Sequence, residues 1–222
     1  MKRAIIRTLT ASVLALGLSG PLQAEEPLAY TNEIAPGVYS FGGGNGYHSM
    51  FLVTDDGVAV FETVSSAHGE NLIEAIRDVT DQPIKYALHS HNHWDHSSGG
   101  KIFQDAGAET VMHAQAATWL AANPGMDTSP PDIVWEGKRN DIDLGGVTIE
   151  QHYLGLNHGL GMTVYVIPEK RVGYIADLVT PNRVMFSICL LYTSPSPRDN
   201  IANLVCRLLL ENRGGGGGGG GG

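Results

Sequence analysis

The segment His91-Asn92-His93-Trp94-Asp95-His96 constrains this chain more than any other. It follows an apolar run containing Ile84, Tyr86, Ala87 and Leu88, and it precedes Ser97-Ser98-Gly99-Gly100. Three imidazoles and a carboxylate within six positions are a dense donor set. Imidazole nitrogen and carboxylate oxygen suit zinc, iron or manganese. In an extended segment, positions two apart point the same way, so His91 and His93 can grip one ion. Asp95 and His96 lie just beyond, where a turn into a helix aims them at a second ion beside the first. Two neighbouring metals are the economical expectation. The bland alternative is a His-rich solvated loop or several unrelated core histidines.

This string resembles the His-x-His-x-Asp-His signature of the metallo-β-lactamase-fold hydrolases, and the downstream chain offers further elements in that family's order. Tyr153-Leu154-Gly155-Leu156-Asn157-His158-Gly159 is similar to the family's Gly-His loop, with Asn157 intervening. The resemblance makes His158 the third histidine of a first site. Met162–Ile167, a turn at Pro168-Glu169-Lys170, and Val172–Asp177 read as a hairpin whose second strand ends on a carboxylate. That end is similar to the family's strand-terminal Asp, which implies that Asp177 bridges the two metals. The implied ligand set is His91, His93, Asp95, His96, His158 and Asp177. The implied cofactor is a pair of zinc ions, with iron or manganese as alternatives.

What the resemblance implies chemically is metal-assisted hydrolysis of an ester, lactone, β-lactam or similar bond in a small-molecule substrate. A water held between ions about 3.5–4 Å apart has its pKa lowered towards about 7 and attacks as hydroxide. Asp95 is the nearest carboxylate able to orient it or to pass its proton to the leaving group. Two rivals come from other classes. Persulfide dioxygenases of this fold hold one iron through residues equivalent to His91, His158 and Asp177, and a metal-occupied but inactive binding protein is the third reading.

The C-terminal stretch reads differently from the rest. Cys189–Asp199 looks like a translated transposon-end adapter, Asn203–Glu211 like its distal part, and Gly214–Gly222 like empty sequencing cycles read as guanine. Residues 189–222 are therefore expected to be a non-native tail, and such segments are excluded from fold reasoning. The family supplies a further His after the bridging Asp, and this chain has none after His158. The expectation is a second ion held weakly by Asp95, His96 and Asp177, and little or no hydrolysis by the chain in this form.

At the other end, Lys2, Arg3 and Arg7 precede the apolar stretch Ala11–Leu18, and Leu22-Gln23-Ala24 forms a small-residue cleavage site. Residues 1–24 thus read as a secretory signal, which implies a periplasmic or secreted product with no stable membrane association once cleaved. Cleavage leaves Glu25–Ile188, enough for one domain. Cys189 and Cys206 are the chain's two cysteines and both fall in the tail, so neither a disulfide nor a thiolate ligand is expected. The net charge is −9 even with Arg198, Arg207 and Arg213 counted, and no basic run follows the signal. Nucleic acid and anionic membrane are poor partners for such a surface.

Asp55-Asp56-Gly57 between Met50–Val53 and Val58–Phe61 signals a hairpin. Ser66 is a candidate cap for a helix through Thr80, with Leu72, Ile73, Ile76 and Val79 on one face. Pro83 begins the strand that delivers His91, and Asp95 or Ser97 opens a helix through Ala106. Thr110–His113 reads as a strand, Ala114–Ala122 as a helix, Asn123–Pro131 as a loop, and Asp141–Leu144 and Val147–Tyr153 as strands. This pattern gives mixed α and β. The resemblance adds a four-layer α/β/β/α sandwich whose second half is incomplete. Glu62 is read as support for the ligand loops, His89 as packed or solvent-facing, and His48, His68, His113 and His152 as structural, with His48 near the pocket rim.

Overall fold

A computed structural model of the chain describes residues 29–178, Met126 excepted. The signal reading of residues 1–24 and the tail reading of residues 189–222 lie outside the described residues.

The first sheet runs in chain order: β1 (Tyr30–Ala35), β2 (Val38–Gly42), β3 (His48–Thr54), β4 (Gly57–Phe61), β5 (Ile84–Leu88), β6 (Glu109–His113) and β7 (Ile133–Trp135). Neighbours are antiparallel from β1 to β4 and parallel from β4 to β7. Parallel neighbours need a crossover, and helices supply it here. α1 (Ser66–Val79) links β4 to β5, α2 (Trp94–Ser97) and α3 (Gly100–Asp105) link β5 to β6, and α4 (Ala114–Ala122) links β6 to β7. The second sheet is an antiparallel meander of β8 (Arg139–Leu144), β9 (Val147–Tyr153), β10 (Thr163–Ile167) and β11 (Val172–Tyr174).

Two apolar layers hold these elements together. Between the sheets, Leu52, Phe61, Leu88 and Val111 meet Leu144, Ile149, Tyr165 and Ile167. On the outer face of the first sheet, Phe51, Val60 and Ala87 pack against Leu72 and Ile76 of α1 and Phe103 of α3. β4 lies between both layers and is buried along its whole length, which is why Val58–Phe61 carries no polar side chain. The described residues thus build α, β and β layers of the expected sandwich. Among them no helix covers the outer face of the second sheet, where Val164 and Val166 gather Leu154, Ile175 and Leu178.

Several local expectations need correction. The helix cap is Ser65, whose side chain accepts from the His68 N–H, while Ser66 donates to Asp127 at 2.6 Å. The single helix expected through Ala106 is two, because Gly99 takes φ +76 between α2 and α3. β1 and β7 carry little apolar alternation of their own and enter the sheet through backbone pairing with β2 and β6. The strand expected to run to Asp177 stops at Tyr174.

Candidate metal centre

The motif occupies the carboxyl end of β5, where the parallel part of the sheet opens towards solvent. Leu88 is the last paired residue, and the chain then leaves the sheet through His89, Ser90 and His91. The second sheet reaches across to it. Thr163 N–H donates to Ser90 O at 2.7 Å, and the Tyr165 hydroxyl donates to His89 O at 2.8 Å. Asn92 clamps the His158 loop twice, accepting from Leu160 N–H at 2.7 Å and donating to Leu160 O at 3.2 Å. Gly159 permits this approach, since a Cβ there would stand 2.5 Å from His91 Cδ2.

The structure brings all six expected residues to one place. His91 Nε2 lies 2.9 Å from His93 Nδ1, and His93 Nδ1 lies 3.1 Å from His158 Nε2. Asp177 Oδ2 stands 3.2 Å from His158 Nε2, 3.9 Å from His91 Nε2 and 2.9 Å from His96 Nε2. Asp95 Oδ2 is 3.7 Å from His96 Nε2 on the same side. Donors bound tetrahedrally at about 2.0–2.1 Å are about 3.3 Å apart, so the nitrogen separations suit one ion between three imidazoles. The second donor group, Asp95, His96 and Asp177, is more open to solvent, with the Asp95 side chain 55% and the Asp177 side chain 38% exposed.

Asp177 sits three residues beyond β11 with φ +54, not on the strand. Glu62 and Val64, just after β4, have φ +75 and +64. Left-handed conformations at non-glycine residues cost about 1–3 kcal/mol each and persist only where their surroundings enforce them. Here they aim two carboxylates at the histidines.

Electrostatics divides the histidines into two kinds. Burial, reinforced by His96, His93 and His158, pushes the pKa of His91 well below its ordinary value. Burial followed by His158 lowers that of His93. Both therefore favour the neutral imidazole that a metal requires. Burial also opposes charge on His96, but Asp177 and Glu62 at its two nitrogens overcome it and push its pKa up to about 10. Hydrogen bonds from His158 and His96 hold the Asp177 carboxyl far below the usual carboxylate range.

Glu62 underlies both donor groups. Oε2 accepts from Ser90 Oγ at 2.5 Å and from His96 Nδ1 at 2.9 Å, and Oε1 accepts the Ser90 N–H at 2.9 Å. Ser90 Oγ is 2.8 Å from His91 Nδ1. One tautomer satisfies the whole chain: His91 Nδ1–H donates to Ser90 Oγ, Ser90 Oγ–H donates to Glu62, and His96 Nδ1–H donates to Glu62. It leaves Nε2 of His91 open towards the centre, while Nε2 of His96 faces Asp177 Oδ2 at 2.9 Å.

His89 is buried between Thr63 and the His96 carbonyl. His68 is buried against Ser49, with burial lowering its pKa to about 4. His113 lies between Trp135 and Tyr153, and His152 pairs with Glu150. His48 lines a cleft of about 410 Å³ together with Tyr47, Asp95, His96, Tyr174 and Asp177. Trp94 is half exposed, with its ring against Trp119 and its Nε1–H donating to Asn123 O at 3.1 Å. Sequence reading missed Tyr47, Ser90 and Asn92. Asn92 and Ser90 stood inside or beside the motif, whereas Tyr47 had as its only signal the Gly-rich turn before it.

A sequence model of the Metallo-beta-lactamase superfamily matches residues 42–218. The alpha subunit of 2,4-dinitroanisole O-demethylase from Nocardioides sp. (strain JS1661) is 25% identical over 168 residues, covering 74% of this chain and 51% of that protein. The chain therefore spans about half the length of that curated relative. Among solved structures, a metallo-beta-lactamase from Pontibacter korlensis superposes with TM-score 0.62 at 21% identity, covering 70% of this chain and 74% of the other. The DIM-1 metallo-beta-lactamase superposes with TM-score 0.62 at 18% identity, covering 84% and 85%. At such identities the superpositions speak to fold alone.

Proposed function

Because the chain belongs to the metallo-beta-lactamase superfamily, we propose that it is a two-zinc hydrolase acting on a small-molecule ester, lactone, β-lactam or related bond. His91, His93 and His158 would hold the first ion and Asp95 and His96 the second, with Asp177 placed to reach both. The observation that carries this reading is the position of one oxygen. Asp177 Oδ2 lies within 3.2 Å of His158 Nε2 and 2.9 Å of His96 Nε2, so a single carboxylate faces donors of both groups.

When bound, a pair of divalent ions supplies an acidified water and stabilises charge that develops on the substrate. The protein's own groups do the rest. Glu62 fixes the rings of His91, through Ser90, and of His96. Asp95, with its side chain 55% exposed at the cleft, is placed to accept a proton from the attacking water and return it to the leaving group. The cleft of about 410 Å³ beside Asp95 and Asp177 admits the substrate. The signal-like residues 1–24 support action in the periplasm or outside the cell.

The compact group of His91, His93, His158 and Asp177 also favours one alternative, a single-iron oxidoreductase. One experiment separates the two. The full chain, with zinc supplied, is assayed on an aryl ester, a lactone, a β-lactam and, because of the O-demethylase relative, 2,4-dinitroanisole. Slow turnover of at least one at saturating zinc, abolished by a chelator and restored by zinc, is expected in keeping with a weakly held second ion, together with loss of that activity in His93→Ala. Iron retained on purification with no zinc-dependent hydrolysis overturns the proposal.

A further inference from the structure

We infer that Tyr47 is a positioning residue for the second metal position, holding the Asp95 carboxylate towards His96 and Asp177. The inference rests on the two-metal reading above and adds a residue outside its ligand set.

The Tyr47 hydroxyl donates to Asp95 Oδ2 at 2.7 Å, across 48 positions of chain. Among the described residues it is the one hydrogen-bond donor to Asp95; the other polar neighbour is His96 Nε2, 3.7 Å from the same oxygen. The Tyr47 ring meets His96 edge-on, with centroids 5.7 Å apart at 65°. Both contacts of this side chain are thus to second-position donors, and none is to the first.

The turn that delivers Tyr47 is fixed from its own side. Tyr47 N–H donates to the Asn45 side chain at 3.1 Å, and Tyr47 O accepts from Gly43 N–H at 3.3 Å. Gly44 and Gly46 take φ +79 and +87, so this turn needs glycine to swing the ring back over the motif. The Asp95 side chain is 55% exposed and projects from the first turn of the one-turn helix α2, so little else restricts its rotamers. A carboxylate that is free to rotate must be ordered each time it takes a metal. A donor already in place removes that cost, and supporting partners of this kind typically change affinity about 10–100-fold. Ser90 and Asn92 support the first position and Glu62 supports both, while among the described residues no hydrogen bond or ring contact joins Tyr47 to His91, His93 or His158.

The test is a cobalt(II) titration of the full chain, followed by visible absorption, for the wild type and Tyr47→Phe. Thermal stability of the metal-free proteins is measured alongside. Two phases are expected in the wild type. In Tyr47→Phe the first phase stays where it was, the second moves to about ten-fold higher cobalt, and metal-free stability is unchanged. An unmoved second phase overturns the inference while leaving the two-metal reading intact. Both phases moving together with a fall in metal-free stability also overturns it, since that marks a general structural role. A single phase in the wild type removes the two-metal reading and the inference with it.

Discussion

Glu62 shows how one residue can govern a centre without reaching its middle. Its carboxylate is buried, 1% exposed, and holds His96 directly and His91 through Ser90. Replacing Glu62 with Gln keeps the shape but turns one acceptor oxygen into a donor, so a hydrogen bond to Ser90 or His96 must break. The expected outcome is metal affinity about 10–100-fold weaker, measured by competition with a chromophoric chelator, with the overall fold retained by circular dichroism. The family resemblance made Glu62 legible as support, because it stands at a strand end where members of that family often carry an Asp. It did not reveal that a left-handed backbone turns the carboxylate beneath two rings at once. Positive φ at a non-glycine residue leaves no mark in composition or periodicity, and the same holds for Asp177. For that reason the expected strand end was placed too late.

At the scale of elements, the break between α2 and α3 sets where His96 can point. Gly99 takes φ +76, and a Cβ there would lie 2.4 Å and 2.5 Å from the Ser65 carbonyl carbon and oxygen. Gly99→Ala therefore adds both backbone strain and overlap with an immobile main chain. A loss of about 2–4 kcal/mol is expected, read from the urea midpoint of the metal-free protein. The long apolar strands and the helix at Ser66–Val79 were readable, because their periodicity follows directly from what they bury. β1 and β7 were not, because their places depend on backbone pairing with neighbours that a single segment cannot display. The split helix was hinted at by Gly99-Gly100, a signal that also fits an uninterrupted helix with a tolerated glycine.

Across the whole molecule, two sheets contribute to one centre, and neither contains it alone. β5 carries five of the contributing residues past its end, Ser90, His91, His93, Asp95 and His96, while the second sheet presents His158 and Asp177. The motif's donor density was legible because it is local. The pairing of His158 and Asp177 with it came from the order of elements seen in a known family, since residues as distant as His158, 65 positions beyond His93, have no local signature. Asn92 and Tyr47, which tie distant segments to the motif, needed coordinates. If two ions sit among these side chains, their surroundings are specific enough to measure. Zinc-edge X-ray absorption of the full chain, loaded with two equivalents of zinc, is the most direct measurement. Expected are nitrogen and oxygen neighbours at about 2.0–2.1 Å, with imidazole scattering and a zinc–zinc distance of about 3.5–4 Å. A shell dominated by sulfur, or a zinc environment of water oxygens alone with no second zinc nearby, would contradict the two-metal centre.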